Sequence, residues 1–167
     1  RSRVRGQLQR GWSMLSVVED IVRVQHRVSV RLLAWSVPSV VLGGIALLLP
    51  APLLQGIGLQ ALIWGAIDAA LAAAGLVAAA RRRRSYPDEQ QQVRDTLRLR
   101  RTLLVNAGLD VLYIAGGSAM IVLLSADPFL LGNGIGVVIQ GTFLLFFDLI
   151  HGLRLPAQPP TWYSPQA

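Results

Sequence analysis

The chain has 167 residues, 53% of them hydrophobic and only 15% charged, and its mean hydropathy is +0.49. An average soluble domain carries about 25% charge, so this composition excludes a disordered chain and argues against an ordinary soluble domain. There is no cysteine, which removes disulfides, thiolate metal sites and cysteine nucleophiles. All 16 basic residues are Arg, and the net charge is +7. These arginines fall in an N-terminal group (Arg1 to Arg31), a central group (Arg81 to Arg101) and Arg154, with long stretches free of basic residues between them. That alternation is the pattern of the positive-inside rule, so nucleic acid is not expected as a partner and a bilayer is.

In chain order, residues 1–30 read as a cytoplasmic amphipathic segment. Leu8, Trp12, Leu15, Val18 and Val22 recur at helical spacing on one face. Such a segment either lies on an anionic leaflet or extends the first span straight into the cytoplasm. Residues 31–80 form a first transmembrane hairpin, with spans at 32–49 and 53–80, each close to the roughly 20 apolar residues a crossing needs. Pro38 is read as a kink in the first span, not a break. Residues 81–101 make an Arg-rich cytoplasmic loop holding a short helix that starts near Ser85-Tyr86-Pro87-Asp88, and Arg81, Arg82, Arg83 and Arg84 are expected to contact anionic lipid. Residues 102–154 form the second hairpin, with spans ending near 125 and covering 129–153. Residues 155–167 are a Pro-rich flexible tail. The loops near 50–55 and 126–133 contain no Arg, so both termini and the central loop are expected on the cytoplasmic side of a bacterial inner membrane. No cleavable signal peptide is expected.

The two halves resemble each other. Residues 52–65 lay on 128–141 without a gap, matching Pro52 with Pro128, Gly56 with Gly132, Gly58 with Gly134, Ile63 with Ile139 and Gly65 with Gly141. Gly43-Gly44 pairs with Gly116-Gly117 once three residues are added to the second half. Two tandem hairpins sharing one orientation would be related by an axis along the membrane normal. Gly43, Gly44, Gly65, Gly116, Gly117 and Gly141 are the expected close-packing positions, since small residues let membrane helices approach.

An ionisable side chain near the bilayer centre costs at least about 2.5 kcal/mol, so each calls for a reason. Asp68 stands near mid-membrane. Asn106, Asp110 and Tyr113 share one face of the third helix, and Gln140, Asp148 and His151 one face of the fourth. At 1.5 Å per residue, Asn106 and Asp110 lie roughly 8 and 14 Å inside the cytoplasmic edge, level with Asp148 and His151. A cluster of these six residues is therefore expected, with Asp110 facing the interior and sharing a proton with a neighbouring acid. It reads either as an interhelical hydrogen-bond network or as a proton or cation site. No nucleophile elbow, HExxH or phosphate loop is present. His26 and His151 are too few for a metal or haem site without further ligands. No catalytic residue, metal or cofactor is expected.

Residues 106–117 (Asn-Ala-Gly-Leu-Asp-Val-Leu-Tyr-Ile-Ala-Gly-Gly) and 134–148, ending in Phe146-Phe147-Asp148, resemble an uncharacterised family of small bacterial four-helix membrane proteins. The resemblance covers the second half of the chain and implies a fold and no activity. The expected molecule is an all-α integral membrane four-helix bundle of two tandem hairpins with an N-terminal amphipathic helix. Its expected role is non-enzymatic association, as a homo-oligomer or a subunit of a membrane complex. The alternative is an oligomeric proton- or cation-coupled transporter using the intramembrane acids.

Overall fold

The computed structural model describes residues 2–85 and 88–159, with side chains over 21–84 and 88–159. Four helices account for the fold: α1 (Ser2–Leu47), α2 (Pro52–Ser85), α3 (Glu89–Leu123) and α4 (Pro128–Arg154). Each contains a stretch long and apolar enough to cross a bilayer, α1 from Ile21 onward. The chain is a multi-pass membrane protein with an all-α, four-helix architecture.

The Arg-bearing segments join the helices of their spans. α1 runs unbroken from Ser2 to Leu47, so the N-terminal segment and the first span are one helix, the straight extension. The apolar face from Leu8 to Val18 lies outside the described side chains. The Arg-rich loop is likewise absorbed into helices. α2 continues through its four arginines, and α3 starts at Glu89, where the Asp88 carboxylate accepts from Gln90 N at 2.7 Å. No Gly or Pro interrupts 89–105, so nothing stops the helix short of the third span. The turn at Tyr86-Pro87 and the tail beyond residue 159 lie outside the described residues.

The opposite turns are set by local chemistry. Pro52 and Pro128 each open a helix, where a missing N–H costs nothing. Asp127 caps α4 by accepting from Phe129 N and Leu130 N. Gln55 reaches back across the first turn and donates to the Leu49 carbonyl at 2.9 Å. Pro38 sits within α1 without ending it.

Packing inside each hairpin follows a seven-residue repeat of small side chains. On α1 the buried seam is Ser29, Ser36 and Gly43, and on α2 it is Gly58, Gly65, Ala72 and Ala79. A Cβ placed on Gly43 would lie 2.7 Å from the Gly58 carbonyl oxygen, and one on Gly65 would lie 2.9 Å from Ser39 Cβ. A seven-residue period keeps two helices in contact along a left-handed crossing. In the second hairpin the buried seam is Leu103, Asp110 and Gly117 on α3, against Gly134, Gly141 and Asp148 on α4 and Leu155 just past its end. Gly117 meets the Gly134 carbonyl and Gly141 meets Ile114. The hairpins then join through α2 and α4, where Gly56 and Gly132 bring backbone onto backbone.

The molecule is apolar outside and polar within. Leu42, Leu112, Val122 and Leu153 are each more than 60% exposed. Among the buried residues are Ser36, Asp68, Asp110, Asn133, Gln140 and Asp148. Water would reverse that distribution; hydrocarbon favours it.

Candidate functional site: three acids inside the bundle

Asp68 on α2, Asp110 on α3 and Asp148 on α4 are the acids at membrane depth, and all three are buried, at 2%, 4% and 7% exposure. The carboxyls of Asp68 and Asp148 both feel the charge of Asp110, and Asp148 also feels Asp68. Asn106, one turn before Asp110 on α3, hydrogen-bonds the Asp148 carboxyl. Among the described residues no ion pair joins these acids to an arginine, and Oδ2 of Asp68 and Oδ2 of Asp110 have no hydrogen-bond partner. No group of three or more His, Asp or Glu among the described residues has the geometry to hold a metal ion. Three carboxyl groups from three helices thus share one low-dielectric interior with a single amide donor.

The sequence-predicted cluster is regrouped. Asn106, Asp110 and Asp148 are together, and Asp68 joins them from α2. Gln140, Tyr113 and His151 do not belong to this set. Gln140 is buried against α1 instead, accepting from Trp35 Nε1 at 3.0 Å, while Trp35 stacks on Phe143 with ring centroids 3.8 Å apart. Tyr113 is 41% exposed and lies edge-on to Trp64 with centroids 4.9 Å apart, turned away from the buried acids. The reason is angular: three residues along a helix fall about 60° off the starting face. His151 turns toward α1, where Nε2 meets Arg31 Nη1 at 3.3 Å and Nδ1 meets the Phe147 carbonyl at 2.6 Å.

Polar pairs continue toward the Arg-free end. Gln60 Nε2 donates to Asn133 Oδ1 at 2.7 Å across α2 and α4, and Asn133 Nδ2 donates back to the Phe129 carbonyl. Sequence reading missed both residues as partners, although Gln60 and Asn133 stand on the spans with no other polar neighbour in their helical turn. At the basic end the interior is closed by apolar side chains: Ile21, Leu103 and Leu155 are buried together, with Val22, Val24 and Leu99 against them.

The glycines and arginines also sort differently from expectation. Gly43, Gly65, Gly117 and Gly141 sit in tight crossings, but a Cβ on Gly44 or Gly116 would meet nothing within 4 Å. Those two are corrected from packing positions to outward ones. In the repeat comparison Gly43 consequently corresponds to Gly117, one residue on from the expected Gly116. Arg82 turns inward, donating to Gln25 Oε1 at 2.9 Å and pairing with Asp95 at 3.5 Å, whereas Arg81, Arg83 and Arg84 are exposed.

No curated protein and no solved structure matches the chain. A family model does: residues 31–149 match the family of unknown function DUF6992, which takes in the second and third spans, most of the first and fourth, and every acid of the site. The chain belongs to that family.

Proposed function

We propose that the protein is a non-enzymatic membrane component built around a buried proton-binding site, and that the Asp68–Asp110–Asp148 set carries its function. The observation behind this is the burial of three interacting carboxyls that no ion pair among the described residues joins to an arginine. Like charges repel strongly in a low-dielectric interior, where water does not screen them. Protons shared among the acids relieve that repulsion without a metal. Gln60, Asn133 and Gln140 supply polar side chains toward the Arg-free end, and the Ile21–Leu103–Leu155 cluster stands as a barrier on the other. Polar side chains on one side of the acids and an apolar plug on the other suit proton-coupled transport or proton sensing. In this reading the site opens away from the cytoplasm, because the Arg-bearing ends and both termini face the cytoplasm of a bacterial inner membrane.

The asymmetry of the hairpins supports the same reading. We infer that they arose by duplication, since α4 follows α2 at a constant offset through Gly58/Gly134, Gly65/Gly141, Ala72/Asp148 and Ala79/Leu155. Where the first hairpin buries Ser36 and Ala72, the second buries Asp110 and Asp148. Packing alone is satisfied by the small residues, so the acids answer another need. The test is proton flux into liposomes holding the full chain under an imposed potential. Wild type is expected to exceed empty vesicles, and Asp110→Asn or Asp68→Asn to lose roughly tenfold or more, the scale on which positioned proton-transfer groups act. Wild-type flux no higher than empty vesicles removes the transport form of this proposal.

A second reading, self-association, rests on Ala66, Ala70 and Ala74, which are exposed at four-residue spacing along α2. That is the small-xxx-small pattern by which membrane helices dimerise. Native mass measurement in mild detergent is expected to find a dimer or higher species that Ala70→Leu weakens. A monomer at every concentration counts against it.

A further inference from the structure

A groove of about 750 Å³ runs down the outside of the bundle along α4, with Arg31 of α1 at its edge. We propose that it seats one anionic phospholipid from the leaflet at the Arg-bearing end, its phosphate on Arg31 and Arg154 and one acyl chain along Phe143 and Phe146. The groove is divided as a lipid is. Its basic end holds Arg31, His151 and Arg154, and its remaining wall is almost wholly apolar. No carboxylate lines it. Asp148, the acid nearest in sequence, is buried toward the other helices.

The cations are held ready and unneutralised. His151 Nδ1–H donates to the Phe147 carbonyl, which leaves Nε2 to accept from Arg31. That contact fixes Arg31 at the groove's edge with its other N–H groups free of any partner among the described residues. Arg154, exposed on the last turn of α4, has no partner among the described residues either. Two guanidinium groups facing one opening match a phosphate diester, which accepts forked N–H donors.

Depth agrees as well. From Arg154 to Ile139 the wall extends about 22 Å along the helix, more than the ~15 Å half-thickness of a hydrocarbon core. The groove therefore reaches from headgroup level through one leaflet. Phe146 and Ile139, 58% and 47% exposed, face hydrocarbon there. Basic pockets between helices at this level are where anionic headgroups bind. The site is separate from the three acids, and its test is independent of proton flux.

The experiment is native mass spectrometry of the full chain with phosphatidylglycerol, with phosphatidylcholine of the same acyl chains, and with glycerol phosphate alone. One phosphatidylglycerol per chain is expected to be retained roughly tenfold more tightly than phosphatidylcholine. Arg31→Gln/Arg154→Gln is expected to bring the two lipids level, and Phe146→Ala to weaken both while keeping the preference. Arg154→Gln alone, at an exposed position, carries the test if the double variant fails to fold. Arg101→Gln, exposed on α3 and not lining the groove, is expected to change nothing. Equal retention of the two lipids, or a preference that survives loss of Arg154, overturns the proposal. Binding of glycerol phosphate as tight as the lipid also overturns it, since the site would then take the anion alone.

Discussion

Gly132→Val is expected to pull the two hairpins apart. A Cβ on Gly132 falls on the Leu53 carbonyl oxygen and within 3.2 Å of Gly56 Cα. The reciprocal Cβ, on Gly56, falls on the Phe129 carbonyl oxygen and 2.7 Å from Asn133 N. Every one of these neighbours is backbone, so no rotamer change makes room. Overpacking a well-packed interior costs about 1–3 kcal/mol when side chains can give way, and more is expected where helix axes must separate. Separation also stretches the Gln60–Asn133 hydrogen bond, one to two turns along the same crossing. The loss expected in reversible detergent unfolding is therefore above about 3 kcal/mol. Gly116→Ala is the control: nothing lies within 4 Å of its added Cβ, and the replacement is expected to be neutral or stabilising by up to about 1 kcal/mol. Equal stability of Gly132→Val and Gly116→Ala would place the α2–α4 contact elsewhere.

Gly132 also marks how far a one-dimensional reading reaches. Span number, hairpin pairing and the Arg-free turns follow from hydropathy and charge, because a bilayer imposes one length and one solvent on every helix. Gly65 was expected in a close crossing, but the seven-residue seam it belongs to, Gly58, Gly65, Ala72 and Ala79, emerges only from the burial along α2. What composition does not convey is which way a glycine faces. Gly43 and Gly44 look alike in sequence, but they are 100° apart on α1, and only the first meets α2. The acids show the same limit. Depth put Asp110 and Asp148 at similar levels, yet it also admitted His151 and Gln140, which turn toward Arg31 and Trp35 on α1. Asp68 was recognised as a mid-membrane acid. Its place beside Asp110 depends on the rotation of α2 against α3, which no spacing within one helix fixes.

Asp110→Asn is expected to leave the bundle folded, or firmer, while taking away a protonated carboxyl group. The wild-type site holds three interacting acids, one amide donor to Asp148 and unpartnered oxygens on Asp68 and Asp110. An ionised group left unpaired in such a place costs several kcal/mol. The proposed sharing of protons therefore keeps at least one carboxyl neutral at neutral pH. Infrared spectra of the protein in lipid are expected to show a carboxylic-acid band that Asp110→Asn diminishes and that heavy water shifts. Asparagine fills the same volume and removes a like charge. Taking one of three interacting carboxyls out of the interior is expected to leave detergent unfolding unchanged or to raise stability by about 1 kcal/mol. The stricter version rewrites the second hairpin as the first. Asp110→Ser with Asp148→Ala places at those seam positions the residues that Ser36 and Ala72 supply between α1 and α2, so the double variant is expected to fold and lose the infrared band entirely. Should Asp110→Asn instead unfold as readily as Gly132→Val, the acids would be part of the scaffold, and the proton-binding role would have to be given up.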